Sequence, residues 1–395
     1  MNVPKLRFKE FTDEWTFTTL KDVATKVNRV ESNNSPIMMI SAEKGFILQS
    51  QKYSKDMTGD SLKKYITLYK NELAYNHGAS KLRPYGSVFM LLEDKARIPF
   101  VYHCFKITNG YNKFFSYYLN RYSFGRLLKP LISSTARMDG LLNISFDNYF
   151  SIKFKIPQLK EQEKIANLLT TVDKKITNLE NIITSLENQK KGLLQQIFSQ
   201  KLRFKDKNGN NYPNWEKKKL GDITTSYSGG TPSVNVKDYY NGAIPFIKSG
   251  EIHNSFTETF ITETGLNSSS AKLVKKGDLL FALYGATSGD TSISKINGAI
   301  NQAILCVRST TLNLHYLYQL LNFYRNKLLS IYLQGGQGNF SATIFKNLIF
   351  NFPCLEEQTK IADFLSAFDR KLDNQKAQLE HWQQIKKGLL QQMFV

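Results

Sequence analysis

Apolar residues recur in alternating steps of four and three along two stretches of the chain. In the first they fall at Ile165, Leu169, Val172, Ile176, Leu179, Ile183 and Leu186, then at Leu193 and Ile197. In the second they fall at Ile361, Leu365, Phe368, Leu372, Leu379, Trp382, Leu389 and Met393. This is the 3.5-residue repeat of a coiled-coil seam, narrower than the stripe of a globular helix. Each stretch predicts a helix of about 35–40 residues, ~50–60 Å long. Pro157 and Pro353 stand just before the helices, where a missing amide hydrogen does least harm. Lys190 and Lys386 take the same seam place in each, and Gln375 adds a polar residue to the second. A polar residue in a seam costs stability and fixes register or partner. Gly192 and Gly388 weaken the helices by about 1 kcal/mol each. They mark either the close approach of another chain or a local helix end.

The two stretches are copies. Residues 154–199 and 350–395 align without a gap at an offset of 196, with roughly 20 of 46 positions identical and KKGLLQQ shared throughout. KLRF at 5–8 returns at 201–204, and Trp15, Leu20 and Asp22 return as Trp215, Leu220 and Asp222, after an insertion around Asn208–Asn211. The chain therefore divides into a block at 1–153, a helix at 154–199, a second block at 200–349 and a second helix at 350–395. A duplicated unit tends to pack about a pseudo-two-fold axis, which makes the helix pair antiparallel. The expected fold is α+β: two pseudo-symmetric α/β domains separated by two long helices pairing as an antiparallel coiled coil.

Both blocks mix strand and helix patterns in one order. The second offers strand-like AIPFI (243–247), DLLFALY (278–284) and AINQAILCVR (299–308), then an amphipathic helix at 313–330. The first offers ITLYKNELAYN (66–76), IPFVYHCFKI (98–107) and a helix at 113–129. The order is shared while the residues are not.

Charge changes the picture. The chain has 395 residues, Lys+Arg 53 against Asp+Glu 33, and a net charge of +20. The first block carries roughly +10 and the second about +8, while the helix copies hold about +2 and near zero. A basic excess confined to two blocks points to a polyanion, and nucleic acid is the first candidate. Cys104, Cys306 and Cys354 are scattered, which argues against a disulfide framework and a zinc site. The first residues lack the apolar core of a signal peptide, and no apolar run is long enough to span a bilayer. A cytoplasmic compartment is expected. No phosphate loop, metal-ligand cluster or nuclease signature occurs. The five histidines, His77, His103, His253, His315 and His381, are dispersed. No catalytic residue, metal or cofactor is therefore assigned.

The candidate DNA-contacting residues lie in Gly-rich loops. HGASKLRPYG (77–86) holds His77, Ser80, Lys81, Arg83 and Tyr85, and SSTARMDG (133–140) holds Arg137. SGGTPSVNVKDYYNG (228–242) holds Thr231, Ser233, Lys237, Tyr239 and Tyr240; Lys248 follows it, Tyr284 opens YGATSGD (284–290), and QGGQGNFS spans 334–341. Arg can read guanine in bidentate fashion, which singles out Arg83 and Arg137. Ser, Thr and Lys grip phosphate, which singles out Lys237 and Lys248.

With these residues in view, the layout resembles the specificity subunit of type I restriction–modification systems. The resemblance rests on block–helix–block–helix order, on P-x-L-x-E-Q-x-x-I-A at 157–166 and 353–362, on KKGLLQQ-F closing both helices, and on SGGTPS…YYNGAIPFIKSGEI. The first block departs from it, with VATKVNRVESN at 23–33. The resemblance implies that the blocks are target-recognition domains, each reading half of a bipartite, asymmetric DNA site. It implies that the helices set the gap and dock methyltransferase subunits bringing S-adenosylmethionine. ATP and Mg²⁺ then belong to translocating nuclease subunits. A stand-alone nucleic-acid-binding scaffold stays open, as does a catalyst without a recognisable motif. A spacer role has a direct consequence. Adding one heptad near Ile176–Ile183 lengthens the helix by ~10 Å and keeps the seam in register. The half-sites should persist while the gap changes or activity is lost; methylome sequencing reads this.

Overall fold

A computed structural model describes residues 3–31, 34–53, 59–81, 83–132, 142–332 and 339–394. The long helices form over Leu159–Phe198 and Leu355–Gln392. The chain resolves into two units, Met1–Glu180 with Gln378–Val395, and Asn181–Ala377. The dividing line crosses the middle of both long helices, so each unit owns a segment of each.

Within each unit the helix segments run antiparallel. In the first, Lys386 Nζ lies 2.7 Å from Asp173 Oδ1. In the second, Lys190 bonds Asp369, and Lys376 Nζ lies 2.7 Å from Glu187 Oε1. The seam lysines thus have carboxylate partners on the opposite helix. Ile165, Leu169, Val172, Leu179, Ile183, Leu186, Ile361, Leu365 and Leu372 are buried. Ile176, Leu193, Phe368, Leu379, Trp382 and Leu389 are half-buried. Among the described residues, nothing lies within 4 Å of a Cβ built on Gly192, so none of them requires a glycine there.

Each α/β block hangs on the start of a long helix through a two-stranded ribbon. Thr16–Thr19 pairs antiparallel with Lys153–Ile156, and Glu216–Lys219 with Ile349–Phe352. Beyond the ribbon lies a four-stranded antiparallel sheet. Its order is Ala24–Lys26, His103–Ile107, Leu73–Asn76, Ser87–Met90 in the first block. In the second it is Thr225–Ser228, Ile304–Arg308, Leu279–Ala282, Thr291–Ile293. A further sheet in the second block has the order Phe260–Ile261, Tyr240–Ile247, Gly298–Ile300, Lys272–Val274, with one parallel pairing of Phe246 with Ala299. The first block repeats this path as two hairpins, Met38–Ser41 with Gly45–Leu48 and Ile66–Tyr69 with Lys95–Ile98, joined by a parallel bridge from Ile37 to Arg97. The two blocks are one topology written twice. Buried Cys104 and Cys306 occupy matching places on matching strands.

Three strand-like runs break in two. The run at 66–76 turns at Asn71, whose φ is +70°, and 98–107 and 299–308 turn after Ile98 and Ile300. Each run reads as continuous because both halves are buried, but the halves belong to different sheets. The helix expected at 113–129 is likewise two, Asn112–Tyr118 and Tyr122–Leu128. The helix expected at 313–330 forms over Leu314–Tyr332.

The repeated short motifs are the fasteners. Glu161 is fully buried near the start of the first long helix. It accepts from Arg7 Nε at 2.8 Å and Nη2 at 2.7 Å, and from Trp15 Nε1 at 3.4 Å. Glu357, also fully buried, accepts from Arg203 Nε at 2.9 Å and Nη2 at 2.7 Å, and from Trp215 Nε1 at 3.1 Å. The carboxylates hold both guanidinium groups above their ordinary pKa. Gln162 donates to the Pro157 carbonyl and accepts from the Tyr111 amide, and Gln358 does the same with Pro353 and Asn313. At the far end of each helix a second pair of bonds repeats: Leu202 N to Gln196 O at 3.0 Å, and Leu6 N to Gln392 O at 2.9 Å. Phe198 then packs on Tyr316 and Phe323, and Phe394 on Trp15, Phe114 and Tyr118.

Removing one partner of a buried pair strands the other charge and costs about 3–5 kcal/mol. Glu161→Ala should lose that much in chemical denaturation, as should Glu357→Ala. The double change Arg7→Met with Glu161→Leu should lose less than Glu161→Ala alone. A loss below about 1 kcal/mol for either Glu→Ala variant contradicts the role given to these carboxylates.

Candidate nucleic-acid interface

In the second block, five loops meet where the two sheets end. SGGTP crosses the end of Gly298–Ile300, and only glycine permits it: a Cβ on Gly229 would lie 1.8 Å from the Ile300 carbonyl oxygen. That approach brings Thr231 Oγ1 to Gln302 Oε1 at 2.5 Å. Burial pushes the Tyr284 pKa up, and the Gln302 side chain partly offsets this. Tyr240 donates to the Pro232 carbonyl at 2.7 Å, closing the SGGTP loop on itself. His253 Nε2 and Asp290 Oδ2, 3.0 Å apart, join loop 248–258 to loop 284–290. Arg325 Nη2 donates to the Ser288 carbonyl, and the Phe340 amide to the Leu283 carbonyl.

Of the expected residues here, Thr231, Tyr240 and Tyr284 come together around Pro232 and Gln302. Ser233 and Lys237 are exposed on the same loop, and Tyr239 is half-buried beside Gly265. Lys248 is exposed at the start of loop 248–258, its Nζ 2.8 Å from Thr259 Oγ1. The last loop keeps only Asn339–Ser341 among the described residues.

The first block presents a different face. Ser80 and Arg83 close a tight turn, each amide bonding the other's carbonyl at 3.1 Å, with Ser80 Oγ accepting from Arg83 N at 3.0 Å. Arg83 folds back: Nη1 donates to the Asn120 carbonyl at 2.8 Å, and burial lowers its pKa. One face of its guanidinium is thereby spent on bracing the loop. Ser80 and Lys81 are exposed. Tyr85 lies 5.7 Å from Tyr122, which is 64% exposed, and exposed Arg126 sits 5.9 Å over Tyr122. Tyr122 and Arg126 escape the sequence reading because they look like ordinary polar-face positions of a helix. Gln302 escapes it inside an apparent continuous strand. Arg137 lies outside the described residues.

His77 sits beneath this loop, stacked at 5.1 Å on Tyr75 and 4.0 Å from His103 between ring centroids. His103 Nε2 donates to the Ile144 carbonyl at 3.1 Å. Burial, then the neighbouring His77 and Lys26, push the His103 pKa down to about 3.

Among the described residues, no group of three or more His, Cys, Asp and Glu side chains could hold a metal ion. Nor is any helix among them long and apolar enough to cross a membrane.

Two copies of one α/β fold, each with a polar loop face of its own, define a tandem binding protein. The family follows from comparison: the model for the type I restriction modification DNA specificity domain matches residues 12–188 and 212–381, and the chain belongs to that family. It is 31% identical over 193 residues to the type I restriction enzyme MjaIX specificity subunit of Methanocaldococcus jannaschii, covering 46% of this chain and 44% of that one. With the MjaVIII specificity subunit of the same organism it shares 23% over 284 residues, covering 67% and 66%. The EcoR124I/EcoR124II specificity subunit of Escherichia coli is 26% identical over 237 residues, covering 56% and 57%. The matched segments thus span about half to two thirds of these relatives' lengths. The fold is that of the type I restriction–modification S subunit from M. genitalium, with a TM-score of 0.67 at 16% identity, covering 100% of this chain and 99% of that one.

The depressed His103 pKa gives stability a pH dependence of known sign. Above the unfolded value near 6.5 the ring is neutral in both states and nothing is lost. As pH falls below 6.5 the unfolded chain takes up a proton that the folded chain refuses until about pH 3. Stability should therefore fall from pH 7 to 5, and His103→Phe should flatten that fall. Thermal unfolding at the two pH values measures it; an unchanged slope contradicts the neutral buried ring.

Proposed function

We propose that this chain is the DNA-reading subunit of a type I restriction–modification complex. Each α/β block reads one half of a bipartite, asymmetric site in double-stranded DNA, and the helix pair sets the gap between the halves. The observation that carries this reading is a division of labour within the duplication. The fasteners repeat residue for residue, Arg7–Glu161–Trp15 and Arg203–Glu357–Trp215, whereas the loop faces share a path and almost no residues. Two readers of different targets on one framework have this character. The basic excess of both blocks suits the phosphate backbone.

On this reading the helices dock methyltransferase subunits, which bring S-adenosylmethionine. Translocating nuclease subunits, with ATP and Mg²⁺, join that complex. This chain is non-catalytic and holds no cofactor of its own. It works in the cytoplasm, beside its DNA. In the second block Thr231, Ser233, Lys237, Tyr239, Tyr240, Lys248 and Tyr284 make up the contacting surface. In the first, Ser80, Lys81, Tyr85 and Arg137 do so, with His77 and Arg83 supporting the loop from below.

Replacing residues 216–349 with the matching block of a relative should change one half of the methylated motif and leave the other intact. Lys237→Ala should weaken binding to all sequences about equally and lower the salt slope by about one unit. Methylome sequencing reads the first and competition binding at two salt concentrations the second. A swap that alters both halves at once contradicts the two-reader assignment. Purification without any methyltransferase subunit points instead to a stand-alone scaffold.

A further inference from the structure

We infer that Gln302 is a base-reading residue of the second block and that its partner is an adenine presented in the major groove. The inference rests on the reading above, that this block recognises half of a DNA site. Three observations lead to it.

The first is position. Gln302 is exposed in the turn between strands Gly298–Ile300 and Ile304–Arg308, at the meeting point of the SGGTP and YGATSGD loops. The pairings of Ala299 with Phe246 and of Val307 with Leu279 match those of Arg97 with Ile37 and of Phe105 with Leu73. The offset of 202 holds on both sides of the turn, so the first block carries Phe100 at the place of Gln302. Phe100 is 46% exposed. One place in the fold is therefore exposed in both blocks and chemically different in each.

The second is orientation. An exposed glutamine ordinarily rotates freely, but Thr231 donates to Gln302 Oε1 at 2.5 Å and holds the carboxamide by that oxygen. Gly229, which passes against the Ile300 carbonyl, is what allows Thr231 to reach it.

The third is valence. A carboxamide has two lone pairs on oxygen and two N–H donors. Thr231 takes one lone pair. One lone pair and at least one N–H remain on this exposed side chain. Adenine offers the complement in the major groove, an N6–H donor beside the N7 acceptor. Guanine offers two acceptors there and would leave the Gln302 oxygen facing another oxygen.

The test uses the complex assembled with its methyltransferase subunits and the DNA motif defined by methylome sequencing. Each adenine of the second block's half-site is replaced in turn by 7-deazaadenine, which lacks N7, or by purine, which lacks the 6-amino group. The native complex should lose about 10- to 100-fold in affinity for both replacements at one position. Q302A should bind the natural duplex more weakly by a similar factor, be indifferent to both replacements at that position, and respond normally at every other. Q302E, which keeps the size but has no donor, should shift preference there toward cytosine. T231V, which keeps the glutamine but frees it, should show an intermediate loss at the same position. The inference is overturned if Q302A senses every replacement as the native complex does, or if it weakens all duplexes uniformly. A complex with no sequence preference at all would instead overturn the underlying reading.

Discussion

A fully buried carboxylate without a partner is among the least tolerable features a protein can contain, and this chain places one near the start of each long helix. Glu161 and Glu357 have no exposed surface. Each is tolerated only because a guanidinium grips both of its oxygens and an indole N–H adds a third bond. A buried ion pair adds little stability in itself. What it adds is constraint, because the surrounding segments must keep a guanidinium and an indole within reach of the charge. Arg7 and Arg203 fix the KLRF segments, and Trp15 and Trp215 fix the approach to the ribbons. The next residue, Gln162 or Gln358, ties the same turn to the first amide of the block's own helix region. Two consecutive side chains thus orient an entire α/β block.

The seam carries a second constraint of the same kind. Asp173 accepts from Lys386 and from the Tyr117 hydroxyl at 2.6 Å. Asp369 accepts from Lys190 and from Gln319 Nε2 at 2.6 Å. In each unit one aspartate therefore links its own helix, the antiparallel helix and the block packed beside them. A lysine in an otherwise apolar seam destabilises every register in which it meets no acid. The antiparallel arrangement then follows from polar matching as much as from apolar burial.

The repeating parts of this architecture were legible because repetition and period survive in the letters. The 3.5-residue seam gives the helices, and the 196-residue offset gives the duplication. The letters Arg, Glu, Gln and Trp were visible as repeats, but their role was not. A residue conserved between copies looks the same whether it packs inside or binds outside. The strand breaks at Asn71 and Asn301 were hidden for a different reason. When both flanking strands are buried, the short polar crossing between them, Lys70–Glu72 or Asn301–Gln302, reads as an interruption within one strand. The loops were the least legible part. Arg83 has the chemistry of a base reader, yet its guanidinium turns inward to a backbone carbonyl. Lysine and serine in the same turn stay in solvent. Composition gives the kind of surface, and only geometry decides which side chains reach it.

The division between repeated fasteners and unrepeated tips also explains how such a molecule can change what it binds. The fasteners sit at the ribbon end of each block, in contact with the helices. The tips sit where the sheets give out, beyond the last ladder bonds. Between them lie matching sheets, with buried Cys104 and Cys306 at one matching core position. A substitution at Phe100 or Gln302 therefore faces solvent, breaks no ladder hydrogen bond and leaves Glu161 and Glu357 paired. Stability and recognition are carried by different residues in different places. That separation lets a duplicated chain diverge at its tips while both halves keep one fold.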